Sequence, residues 1–81
     1  MTGPIAVDLE LDCRGMVCPK PVIELNKRLT DVEPGGVIAL ASTDAAARVD
    51  VPAWCRMRGH EYVGEDEAAD GTPRYLVRRL S

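Results

Sequence analysis

From Ile5 to Leu11 the chain alternates, with apolar Ile5, Val7, Leu9 and Leu11 separated by Ala6, Asp8 and Glu10. That period predicts a half-buried strand, covered on one face and wet on the other. Residues 12–18 then form a connector hinged at Gly15. After Pro19-Lys20-Pro21, the residues Val22, Leu25 and Leu29 fall on one side of a helix. The pattern predicts that helix from Pro19 to Thr30, with Cys18 as its cap. Proline is tolerated in a first helical turn, and Lys27 and Arg28 suit the far end of the helix dipole. Pro34-Gly35-Gly36 stops it. Val37 to Thr43, nearly all small or apolar, predicts a second strand, and strand–helix–strand implies a right-handed parallel crossover. Thr43-Asp44 opens an alanine-rich turn. Asp50-Val51-Pro52 predicts a second helix capped by Asp50, carrying Val51, Trp54 and Cys55 inward and ending at Gly59. Residues 60–64 and 73–80 read as two further strands, joined through Glu65-Asp66-Glu67 and the turn signal Asp70-Gly71.

The order β-α-β-α-β-β predicts an α/β two-layer open sandwich: a four-stranded mixed sheet with both helices on one face. With 81 residues, one domain over residues 1–81 is expected. Aromatic residues are only 4% of the chain, so its core is aliphatic. A net charge of −3 argues against direct nucleic-acid binding. No apolar run has the length of a membrane span, and Met1-Thr2-Gly3-Pro4 has no signal-peptide pattern, so a soluble, cytoplasmic protein is expected.

The candidate chemistry is that of sulfur. Three cysteines, Cys13, Cys18 and Cys55, are an odd number without a secretion signal, which suits reactive thiols or metal ligands better than a disulfide framework. Cys18 is the foremost candidate, because a helix N-terminus favours the thiolate. Pro19 and Pro21 carry no N–H, which leaves Lys20 as the nearby backbone donor. The prolines supply stiffness and leave the sulfur open to approach by another protein. The Lys20 side chain adds positive charge, for which Glu24 competes. Cysteine is also a poorer cap than Ser, Asp or Asn, so its place at this helix start points to chemistry. Cys13 shares the parity of Leu9 and Leu11 and is expected to face inward, Cys55 to pack beside Trp54, and His60 to hold a polar structural role. Cys13, Cys18, Cys55 and His60 together would make a zinc set, but the spacing is looser than the usual two-residue knuckle, and no metal or cofactor is expected. Arg56, Arg58, Arg74, Arg78 and Arg79 read first as solvated charge and alternatively as a basic patch for an acidic partner. Ile23 is off the apolar stripe by about 100° and is expected to be exposed near Cys18.

Leu11-Asp12-Cys13-Arg14-Gly15-Met16-Val17-Cys18-Pro19-Lys20-Pro21-Val22 resembles the signature of the TusA/SirA-like sulfur carrier proteins, marked by Cys-Pro-x-Pro. A second block, Ala41-Ser42-Thr43-Asp44 followed by Asp50 to Glu61, and the ending Arg74-Tyr75-Leu76-Val77-Arg78 are similar too. The resemblance implies the same two-layer fold and a cysteine, Cys18, that accepts sulfane sulfur as a persulfide. The donor it implies is a cysteine desulfurase or rhodanese-like protein. The recipient is a downstream acceptor protein serving tRNA thiolation, molybdenum cofactor synthesis or sulfur metabolism. It further implies that Arg14 and Gly15 shape the loop before the cysteine and that Asp44 lies at the strand end facing it. Where the family often has Asp-Pro, this chain has Asp44-Ala45, which predicts a less rigid loop. The implied role is that of a carrier whose turnover belongs to its partners. The alternative is a redox-sensing or regulatory module of the same fold, in which Cys13 and Cys18 form a disulfide.

Overall fold

The computed structural model describes residues 6–17 and 19–81, so Ile5 and Cys18 lie outside the described residues. The elements are β1 (Leu9–Asp12), α1 (Lys20–Arg28), β2 (Val37–Ala41), α2 (Ala47–Arg58), β3 (Glu61–Glu67) and β4 (Pro73–Arg78), with a 3-10 turn, Leu29–Asp31, closing α1. The strands form one mixed sheet in the order β1-β2-β4-β3. β1 runs parallel to β2, while β4 is antiparallel to both β2 and β3. This is the predicted fold, an α/β arrangement of four strands and two helices.

The central strand explains the layering. All five residues of β2 are buried, so both faces of the sheet carry apolar side chains there. Ile38 and Leu40 join Leu11, Tyr75 and Val77 beneath Leu25, Val51, Trp54 and Cys55 of the helices. Val37 and Ala39 point the other way, where with Leu76 they form a smaller cluster against Val7 and Val63. On that helix-free face Arg74 is gripped by Asp66 at 2.7 Å and Glu10 at 2.9 Å, and Arg78 by Glu61 at 2.8 Å. Both arginines thus stand on the same face as the small cluster, flanking Leu76 along β4.

Several boundaries differ from the sequence expectation; α1 ends at Arg28 rather than Thr30 and β4 at Arg78 rather than residue 80. β1 begins at Leu9, because the Asp8 carboxylate, rather than a strand carbonyl, accepts the Val37 N–H at 2.9 Å. β2 stops at Ala41, since the Ser42 hydroxyl accepts the Asp44 N–H and turns the chain. α2 begins at Ala47, ahead of Asp50, and holds Pro52 inside it. Its start is set by Asp44, whose carboxylate accepts the Ala46 N–H at 3.0 Å and whose carbonyl accepts that of Ala47 at 3.0 Å. The acidic stretch 65–67 belongs to β3 and is not a connector. Alternation sends Glu65 to Arg48 of α2 and Asp66 to Arg74, so each of those two carboxylates meets an arginine. β3 is the outer strand on its side and is bulged between Tyr62 and Gly64. Among the described residues no helix is long and apolar enough to cross a membrane.

Candidate functional site

β1 and β2 are parallel and each leads into a helix, so both helices begin at the same end of the sheet. The turn between β3 and β4 lies at that end as well, because Ser42 donates to the Pro73 carbonyl at 3.2 Å. Three loops converge there: residues 13–17, 42–46 and 68–72.

The first loop is held segment by segment. The Cys13 N–H reaches the Ala41 carbonyl at 2.8 Å and extends the β1–β2 pairing by one residue. Met16 N–H returns to the Cys13 carbonyl at 3.1 Å, a tight reversal that Gly15 permits at φ +80°. Gly15 N–H donates to the Thr43 hydroxyl at 3.1 Å, tying this loop to the one that starts α2. Arg14 reaches across to the β3–β4 turn. Its Nε and Nη2 meet the two oxygens of Asp70 at 3.1 Å each, and its Nη1 meets Asp12 at 3.0 Å. Asp70 also accepts the Thr72 N–H at 3.0 Å; that bond, followed by the Arg14 guanidinium, holds its carboxyl well below the usual range.

Cys18, the foremost sequence candidate, lies outside the described residues, and its neighbours mark the place. The helix that follows has Pro19 at its N-cap position and Pro21 in its first turn, and no side chain among the described residues caps it. This shifts the predicted start by one residue and takes the cap position from Cys18. The Lys20 N–H, expected as a donor for the sulfur, instead donates to the Val17 carbonyl at 2.9 Å. Glu24 pairs with Lys27 at 3.7 Å rather than with Lys20. Asp44 lies in the neighbouring loop. That loop, expected to be loose without a proline, is closed by the hydrogen bonds of Asp44 itself.

A shallow apolar hollow of about 280 Å³ opens beside Pro19, between Val22 of α1 and Ala53, Trp54 and Met57 of α2. Val17 is 70% exposed and Met57 78%; Ile23, expected to be exposed, is 51% so. The other two thiols are sealed in the core at 1% exposure each, as the strand parity of Cys13 and the helix position of Cys55 beside Trp54 predict. Burial pushes the Cys13 thiol up, helped by Glu24, and pushes that of Cys55 up to about 11. His60 accepts the Leu80 N–H on Nδ1 at 3.1 Å and stacks on Trp54, a structural position. Among the described residues no three His, Cys, Asp or Glu side chains are grouped to hold an ion, so Cys13, Cys55 and His60 do not assemble the zinc set. The arginines do not form one patch. Arg74 and Arg78 are paired on the helix-free face, Arg79 donates to the Val32 carbonyl, and Arg58 donates to Asn26. Thr43, Asp70 and Thr72 are the parts of this site to which sequence reasoning assigns no role; Thr43-Asp44 and Asp70-Gly71 enter it only as turn signals and, for Thr43, within the second matching block.

Comparison with known proteins fits this arrangement. A sulfur carrier protein TusA of Pseudomonas syringae pv. syringae is 40% identical over 84 residues, covering 100% of this chain and 99% of its own. One from Pseudomonas paraeruginosa is 42% identical over 79 residues, covering 98% of this chain and 96% of its own. The crystal structure of a SirA-like protein from Desulfitobacterium hafniense shares the fold, with a TM-score of 0.74 at 24% identity over 90% of this chain and 99% of that one. Residues 9–79 match the family described as Sulfurtransferase TusA, and the chain belongs to that family.

Proposed function

We propose that this protein carries sulfane sulfur as a persulfide on Cys18, taking it from a cysteine desulfurase or rhodanese-like donor and passing it to an acceptor protein in the cytoplasm. The Cys18 thiolate attacks the terminal sulfur of the donor's persulfide. The donor's S–S bond breaks as the new one forms, the donor cysteine leaves as thiolate, and nothing is oxidised or reduced overall. Pro19 and Pro21 stiffen the chain after the sulfur. Arg14 and Gly15 fix the loop before it, Asp44 holds the neighbouring loop, and Lys20 faces solvent where a partner arrives.

One observation carries this reading. Within the span matched to the family, Cys13 and Cys55 are buried with raised thiol pKa values, which leaves Cys18 as the thiol suited to exchange. The burial of Cys13 also counts against the redox-switch alternative, which needs that sulfur to meet Cys18. Incubation with a cysteine desulfurase and cysteine, followed by intact-protein mass, tests both. The expected product is one added sulfur that reductant removes, lost in Cys18→Ser and kept in Cys13→Ser and Cys55→Ser. Loading that persists in Cys18→Ser overturns the proposal, and loss of two hydrogens without added sulfur supports the switch.

A further inference from the structure

We infer that the β3–β4 turn is a positioning element for sulfur transfer, with Asp70 and Thr72 holding the cysteine loop through Arg14. The inference rests on the carrier reading and adds to it residues that lie 56 and 58 positions from Arg14 in sequence.

The geometry is that of a fork on a fork. Arg14 presents Nε and Nη2 to the two Asp70 oxygens at 3.1 Å each, while Nε also lies 3.2 Å from the Thr72 hydroxyl. Bidentate pairing fixes direction as well as distance, which a single-point ammonium cannot do. The receiving carboxylate is itself oriented, because Asp70 Oδ1 accepts the Thr72 N–H at 3.0 Å and the turn closes through Gly71 N–H to the Ala68 carbonyl at 2.9 Å. The cysteine follows closely along the chain. Gly15 is pinned to Thr43, and only Met16 and Val17 separate it from Cys18. Arg14 stands four residues before Cys18, so the clamp bears on the segment that leads into it.

Charge separates this role from thiol activation. One guanidinium faces two carboxylates, those of Asp12 and Asp70, so the cluster is net negative and gives a nearby thiolate no assistance. It is also exposed, with side-chain exposures of 36% for Arg14 and 57% for Asp70, so little stability rests on it. What remains for it is placement of the loop.

The test compares two reactions of Cys18: sulfur uptake from a cysteine desulfurase supplied with cysteine, and alkylation by iodoacetamide across pH. Asp70→Ala is expected to slow uptake about tenfold, as loss of reactive alignment does. Its alkylation rate should change less than about twofold, with an unmoved pH profile. Arg14→Lys should match it, and the double variant should be no slower than either, because both remove one clamp. Asp70→Asn, which keeps an acceptor oxygen and the turn, should fall between and serves if Asp70→Ala does not fold. Uptake at the unaltered rate in Asp70→Ala or Arg14→Lys overturns the inference. So does a parallel fall in uptake and alkylation, or an additive double variant. If the unaltered chain takes no sulfur on Cys18, the carrier reading fails instead.

Discussion

The two helices begin side by side at one end of the sheet, yet their starts are built in opposite ways. α2 is self-sufficient: Asp44 supplies a carboxylate to Ala46 and a carbonyl to Ala47, and the free ends of the turn are satisfied within four residues. Neither N-cap residue, Ala46 or Pro19, caps with its side chain, but α1 has no counterpart of Asp44 among the described residues and enters through Pro19 and Pro21, with the Lys20 N–H spent on Val17. Its order is imported from elsewhere, through Thr43 on one side and Asp70 on the other. A helix start that caps itself is closed to outside chemistry. One entered through prolines draws its anchoring from neighbouring loops. The contrast teaches that the second start is scaffold and the first is built around what precedes it.

The largest expected effect tests that contrast at the thiols. Native protein treated with iodoacetamide at pH 8 should be alkylated at Cys18 alone, and at all three cysteines after unfolding in guanidinium. With its pKa at about 11, Cys55 has a thiolate fraction of about one in a thousand at that pH, before burial slows it further. Peptide mapping reads the outcome, and native labelling of Cys55 would break the comparison. Next in size, Asp44→Ala removes the start of α2 and should cost about 1 kcal/mol, measured by urea unfolding. Thr43→Val removes only the link between the two starts and should cost about 0.5 kcal/mol, because that bond is solvent-exposed.

The smallest effect sits at the far end of α2. Burial first, then Arg79 and Arg58, lower the pKa of His60 below its ordinary value. As pH falls, the unfolded chain therefore takes up this proton before the folded one. The His60 contribution is complete above about pH 6.5 and is lost as pH drops through the lower folded value. Protonation also removes the acceptor for the Leu80 N–H. His60→Gln should show a smaller drop in melting temperature between pH 7.5 and 5 than the unaltered chain.

Much of this was legible in the chain itself. The inward parity of Leu11 and Cys13 and the stripe Val51, Trp54, Cys55 gave the layers, because burial of aliphatic side chains decides them. Where reading failed, a second interaction had won. Glu65 and Asp66 look like loop but stand on an outer strand beside Arg48 and Arg74. Pro52 looks like a first-turn proline, but an aspartate six residues before Asp50 had already set the helix going. Cys18, the proposed sulfur-bearing residue, is singled out in the sequence by its prolines. The contacts of Thr43, Asp70 and Thr72 with the loop before it are not, since only folding brings them to Arg14 and Gly15.

The bulged, carboxylate-bearing outer strand has a consequence for life at high concentration. The bulge between Tyr62 and Gly64 makes this rim irregular and gives it poor register for backbone pairing with another strand. Edge-to-edge pairing of copies along β3 is thereby discouraged.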